Sequence, residues 1–163
     1  MKKINFRHVL FNELSNLALY QLLKLRVDIF VVEQNCVYPD LDNKDIDKQT
    51  VHVLMFSGEV MVGYARVLAP HMSYENTSIG RVAVMPDYRK NGMAKMLMQE
   101  AISVSFMHFN HGDIEIGAQC YLQSFYESLG FVATSDAYDE DGIMHLDMKL
   151  RYSSSINTTD KVD

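Results

Sequence analysis

The stretch Ile79–Ala94, IGRVAVMPDYRKNGMA, sets β-branched residues ahead of a turn and then a glycine at the opening of a helical pattern. Val82, Ala83 and Val84 read as a strand together with Ile79, and Pro86-Asp87 stops it. Gly92 and Ala94 fall where the next helix begins, so little side-chain bulk covers the unpaired N–H groups of its first turn. The main chain from Lys90 through Asn91, Gly92, Met93 and Ala94 to Lys95 can therefore cradle an anion, and Arg89, Lys90 and Lys95 add positive charge. The anion expected there is a pyrophosphate rather than a carboxylate. Arg66 and Arg81 lie inside apolar strands, where an unpaired charge is costly; we expect one structural ion pair and one residue facing a cleft. Asp40, Asp42 and Asp45 approach a calcium-loop spacing, but the glycine and closing glutamate of that loop are missing, so no metal site is expected.

These residues need a scaffold, and 163 residues suffice for one domain that buries about two-thirds of its unfolded surface. Hydrophobic residues at 48% and charged residues at 22% are globular proportions. The net charge of −6 argues against general nucleic-acid binding, which sets the basic residues around Arg89 apart. Polar residues from Asn5 to Glu13 break any leader-like apolar run, and no stretch is long and apolar enough to predict a membrane span. Cys36 and Cys120, without metal-ligand spacing, fit a reducing cytoplasm better than a disulfide framework.

Ile4 to Phe11 is expected as a first strand, followed by a helix capped by Ser15 that carries Leu17, Leu22, Leu23, Leu25 and Ile29 and ends near Val32. Residues 33–48 read as a long polar loop outside the core. Thr50–Phe56 and Val60–Leu68 form a hairpin about Ser57-Gly58-Glu59. Gly92–Phe109 has helical spacing and ends at Asn110-His111-Gly112; Ile114, Ile116 and Ala118 alternate as a strand. Leu122–Leu129 is a short helix stopped by Gly130, and strands follow over Phe131–Ala137 and Ile143–Leu150. The tail from residue 153 has no apolar face and is expected to be disordered.

This order of elements resembles the Gcn5-related N-acetyltransferase (GNAT) superfamily across residues 1–152. Arg89, Gly92 and Ala94 match its phosphate motif, Val82–Pro86 matches its coenzyme-binding strand, and Phe125–Phe131 is similar to its late helix and turn. Val31–Gln34, Ile79–Val82, Gly117–Gln119 and Tyr138–Ile143 resemble the ElaA-like branch. The resemblance implies an α/β (α+β) fold: a mixed, mostly antiparallel, splayed sheet of about seven strands flanked by helices. It implies acetyl-coenzyme A as cosubstrate, with pantetheine along Val82–Val84, and a tyrosine, Tyr126, facing the coenzyme sulfur. Many members carry Asn where Gln119 stands, a side chain that holds the pantetheine arm.

Acetyl transfer from a thioester to an amine needs a proton for the leaving thiolate. Tyr126 is the candidate general acid, since a phenol of pKa about 10 can donate to a thiolate whose thiol lies near about 8.5. The alternative is that Tyr126 merely packs beside Phe125. A lysine-like amine of pKa about 10.4 is neutral about once in 2,500 at pH 7, a cost of roughly 4.6 kcal/mol, so a base must take its proton. Glu33, Glu115, His52 and His145 are the candidates, each with the plain alternative of a solvated or merely hydrogen-bonded side chain; Glu33 and His145 are preferred. Asp40, Asp42, Asp45 and Asp47 can steer a cationic acceptor or simply form a solvated loop. Direct attack needs no covalent enzyme intermediate, although Cys120 leaves a ping-pong route open. The partners expected are a small-molecule or peptide amine, neither nucleic acid nor membrane, and a second copy of the chain in a homodimer. A non-catalytic acyl-coenzyme A binding module is the competing reading.

Overall fold

The computed structural model describes residues 3–110 and 112–153. His111, expected in the helix stop, and residues 154–163 of the expected disordered tail lie outside the described residues. The strands are β1 (Ile4–Val9), β2 (Val51–Ser57), β3 (Val60–Leu68), β4 (Thr77–Val84), β5 (Ile114–Gln119), β6 (Val132–Ala133), β7 (Tyr138–Glu140) and β8 (Ile143–Leu150). They form one eight-stranded sheet in the order β1-β2-β3-β4-β5-β8-β6, with β7 also paired to β8. The expected strand over Phe131–Ala137 shrinks to Val132–Ala133, because β6 and β7 share the outer edge of β8, at Lys149 and at His145 respectively.

Among the described residues every pairing is antiparallel except β4 with β5, which is parallel and covers only Thr77↔Ile114 and Ser78↔Glu115. Beyond Ser78 the two strands part. A bulge in β4 lies where they do: Tyr64 opposes Ala83 and Arg66 opposes Gly80, so Arg81 and Val82 together face Ala65. Arg81 takes the left-handed conformation, φ +54°, that the extra residue requires. The bulge bends β4 at the point where its other edge loses its neighbour.

Helix α1 (Asn16–Arg26) is capped as expected, the Ser15 hydroxyl accepting from the Ala18 N–H at 3.1 Å, and it continues as a π-helical segment, Val27–Glu33. Its Leu22, Leu25 and Ile29 pack on Leu54, Phe56, Tyr64 and Ala83. Helix α2 (Met93–His108) covers the opposite face, with Leu97, Met98 and Ala101 against Val53, Met55 and Ile116, and Tyr126 of α3 (Gln123–Glu127) joins that cluster. The period of two in β2 divides the cores, Val53 and Met55 to one side, Leu54 and Phe56 to the other.

The segment expected as a polar loop is instead anchored by charge. Arg26 is fully buried on the apolar stripe of α1; its Nε donates to Asp40 Oδ2 at 2.9 Å and its Nη1 to Asp45 Oδ1 at 2.6 Å. Arg66 donates to both oxygens of Asp42, each at 2.7 Å, and to Asp45 Oδ1 at 2.9 Å. Arg81 donates to Asp40 Oδ1 at 2.8 Å. Both strand arginines thus hold structural pairs, and three of the four aspartates expected to steer a cation are neutralised by three guanidinium groups. Beside this network His52 is wholly buried, its Nε2 at 3.0 Å from the Asp45 carbonyl and its Nδ1 at 2.8 Å from the Tyr64 hydroxyl. The carbonyl accepts only, so Nε2 carries the proton and Nδ1 accepts from Tyr64. Burial lowers the His52 pKa, and with both ring nitrogens committed, no exposed surface and no place in the cleft lining, His52 is out of reach as a base for the chemistry.

Two outcomes test this account. Arg26→Met leaves Asp40 and Asp45 buried with one cation fewer and is expected to cost about 3–5 kcal/mol in urea unfolding. Thermal stability is expected to be highest above pH 7. Burial lowers the His52 pKa below its ordinary 6.5, so stability falls as pH drops through and below that value. Burial opposes ionisation of Asp42 and Asp45, but the arginines outweigh it, taking Asp42 to about 2. A second loss of stability therefore follows from about pH 4 downward, as the depressed carboxylates take up protons.

Candidate active site

The parted strands enclose a cleft of about 810 Å³. Val82, Ala83 and Val84 of β4 form one wall, Ile116, Gly117 and Gln119 of β5 the other, and Tyr126 of α3 also lines it. The π-helical end, at Glu33 and Gln34, reaches the cleft from the side of α1. Among the described residues, β4 has no strand partner on this edge beyond Ser78. Main-chain groups there remain free to pair with an extended, amide-bearing ligand.

At the start of α2, Lys90 and Gly92 take left-handed backbone, φ +68° and +74°. Nothing lies within 4 Å of where a Gly92 Cβ would stand, so the approach to the first helical N–H groups is open. Arg89 and Ala94 line the cleft, whereas Lys90, Asn91, Gly92 and Lys95 are exposed outside it and the Met93 side chain is buried in the core. The Arg89 guanidinium donates from Nε to the Val84 carbonyl at 2.9 Å, and from Nη1 and Nη2 to Glu33 at 2.7 and 3.0 Å. The hydrogen bonds and charge of Arg89 hold the Glu33 carboxyl below its usual range, which makes Glu33 a weaker base than a free carboxylate.

Tyr126 is 9% exposed, with its ring edge-on to Phe125 and Phe131. It both packs in the core and lines the cleft, and its hydroxyl has no hydrogen-bond partner among the described residues. Burial, helped by Tyr121, pushes its pKa up to about 12, so it stays protonated at neutral pH. His145 also lines the cleft; its Nδ1 lies 2.8 Å from the Ile143 carbonyl and therefore carries the proton, while Nε2 sits 3.7 Å from Glu140 Oε2. In the neutral ring Nε2 keeps its lone pair. Glu115 lies outside the cleft lining and is held by Asn76 and Lys149. Although burial opposes it, these partners lower its pKa, so of the four candidate bases His145 alone joins the cleft with a basic nitrogen not committed to a donor.

Gln119 is engaged by protein. Its Nε2 donates to Gln34 Oε1 at 3.1 Å, Gln34 Nε2 donates back at 3.4 Å, and the Tyr121 hydroxyl donates to Gln119 Oε1 at 2.5 Å. Nearby, the Cys36 thiol donates to the Asp141 carbonyl at 3.3 Å. With the Glu33–Arg89 pair, these contacts tie the end of the π-helical segment to both sides of the opening. The sequence singles out Glu33, Arg89 and Gln119 but neither their partners Gln34 and Tyr121 nor the Cys36–Asp141 contact; the long-range pairings join positions 56 to 105 apart in the chain.

A splayed mixed sheet with a glycine-opened helix at its gap is the architecture of the acetyltransferase fold, and the comparisons place the chain in that family. Residues 28–152 match the acetyltransferase (GNAT) domain family, and the chain belongs to it. The chain is 39% identical to protein ElaA of Escherichia coli over 137 residues, 84% of this chain and 90% of that protein. It is 39% identical over 152 residues to a UPF0039 protein of Schizosaccharomyces pombe, covering 92% and 99%. The crystal structure of E. coli ElaA superposes with a TM-score of 0.85 at 36% identity, over 91% of this chain and 100% of that one. An acyl-CoA N-acyltransferase from Pseudomonas aeruginosa gives 0.85 at 31% identity, over 91% and 99%. The family implies an acyl-coenzyme A cosubstrate, which the unpaired β4 edge and the open helix start suit.

A diphosphate near Arg89 competes with Glu33 for the same guanidinium. Glu33→Gln is therefore expected to tighten coenzyme A binding by about two- to fivefold, the scale of one exposed ion pair, measured by calorimetry. Weaker binding would mean that Glu33 holds Arg89 in its binding position.

Proposed function

We propose that this protein is an acetyl-coenzyme A dependent N-acetyltransferase that acts on a primary amine by direct attack. The observation that carries the reading is the separation of β4 from β5 beyond Ser78, with the unpartnered Tyr126 hydroxyl in the resulting cleft. Pantetheine pairs with the free edge of Val82–Val84, and the diphosphate rests on the N–H groups from Lys90 to Lys95, with Arg89 beside it. Gln119 reaches the pantetheine arm on releasing Gln34.

The amine nitrogen forms its bond to the thioester carbon, and the carbon–sulfur bond breaks. The thiolate takes the Tyr126 proton, and the amine's proton passes to His145 Nε2 directly or through water. Glu33 serves the coenzyme side through Arg89 rather than as the base. Cys120 does not line the cleft, which supports direct transfer over a covalent route. The two free thiols suit a cytoplasmic enzyme.

Thiol release from acetyl-coenzyme A should be followed with a panel of primary amines. Wild type is expected to turn over at least one, and Tyr126→Phe to lower kcat about 100-fold while leaving coenzyme binding intact. Coenzyme binding without turnover on any amine would favour the non-catalytic module instead.

A further inference from the structure

The closed end of the cleft, where β4 and β5 still pair, carries cationic and hydroxyl groups that the transfer chemistry does not use. Arg66 is 3% exposed and lines the cleft. Its end-on edge is taken by Asp42, and the second N–H of Nη1 by Asp45. Among the described residues its Nε is buried without a partner, and Nη2, on the same side of the guanidinium as Nε, hydrogen-bonds to Asp42 alone. One side-on edge of a buried guanidinium is thus left unfilled, a two-donor fork of the kind that carboxylates occupy.

Two neighbours on the cleft surface point the same way. Ser78, in register with Leu68 two residues along β3 from Arg66, is 3% exposed, lines the cleft, and its hydroxyl has no partner among the described residues. Lys44 also lines the cleft, and its Nζ has a neutral partner, the Ser73 hydroxyl at 2.6 Å. Arg26, Arg66 and Arg81 balance Asp40, Asp42 and Asp45 and leave Lys44 without a carboxylate partner among the described residues, while on the β8 side Asp147 accepts from the neutral Tyr74 and Tyr138 hydroxyls. The opposite wall carries Glu140 and Asp141, acidic groups that favour the cationic end of an acceptor.

We infer that Arg66, Ser78 and Lys44 form a carboxylate-binding subsite, and that the acceptor is a small amine bearing a carboxylate at its far end. The inference rests on the reading of the cleft as an acyl-transfer site. Arg66 pairs with Gly80, two residues below Val82, so the subsite lies on the order of 7 Å along the strand from the Val82 end of the proposed pantetheine path, where the thioester would stand. An α-amine is too close to its own carboxylate to span that interval, whereas the terminal amine of a longer ω-amino acid reaches it.

The test is calorimetric and needs no turnover. 6-Aminohexanoate is titrated into the full chain saturated with coenzyme A, with hexylamine and glycine as controls. Saturable binding of 6-aminohexanoate is expected, at least about tenfold tighter than either control, as for loss of a charged hydrogen-bond partner. Lys44→Met and Ser78→Ala, neither of which breaks the arginine–aspartate network, should each weaken it about fivefold to tenfold and leave coenzyme A affinity unchanged. No saturable binding, equal binding of hexylamine, or unaltered affinity in both variants overturns the inference. Coenzyme A affinity is measured in the same cell, so failure to bind coenzyme A counts against the acyl-transfer reading, and failure of the carboxylate alone counts against the subsite.

Discussion

The alternation of Arg26, Arg66 and Arg81 with Asp40, Asp42 and Asp45 is the constraint on which the rest of the structure depends. One cation comes from a helix, two from adjacent strands, and all three anions from a single connecting segment. Charges taken from water must find complementary geometry, and here each carboxylate meets at least one guanidinium. The segment cannot drift without stranding an arginine that is 0% exposed. It therefore lies fixed over the sheet on the α1 side, where Tyr38, Asp42 and Lys44 border the cleft. A site wall that hydrophobic contact could not hold, because its residues are polar, is held by ion pairing.

The features written locally were legible from the residues. Ser15 as a cap, Gly92 at the opening of α2, and the alternation of Ile114, Ile116 and Ala118 depend on neighbours within a few positions. The acidic segment was misread because each aspartate looks solvated until its distant arginine is known. A signal was nevertheless present: Leu22, Leu25, Arg26 and Ile29 fall at helical spacing on one stripe, so a guanidinium had to enter the core with acids beside it. The bulge at Arg81 carried no such mark, since nothing in Gly80-Arg81-Val82 distinguishes an inserted residue from a regular strand. The shortening of the strand after Phe131 arises from competition for one edge of β8.

The candidate chemical groups were recognised as types, and the fold sorted them by partners. His52 and Glu115 had the right chemistry but are saturated by Tyr64 and Asp45 in one case, by Asn76 and Lys149 in the other. Tyr126 and His145 keep an uncommitted oxygen and nitrogen at the cleft. Reactive capacity in this protein is thus what remains after structural hydrogen bonding is complete, and only the assembled structure reveals that remainder.

The paired amides of Gln34 and Gln119 give the mouth of the cleft a different mechanical character from its base. Ion pairs in the interior act as a weld, since separating them strands charge. Two neutral carboxamides form a seam instead: each can exchange the other for water, or for a peptide-like group of a guest, with the count of hydrogen bonds conserved. The keel of the molecule is thus fastened by buried charge, and its lip by exchangeable neutral bonds and one exposed ion pair, Glu33 with Arg89.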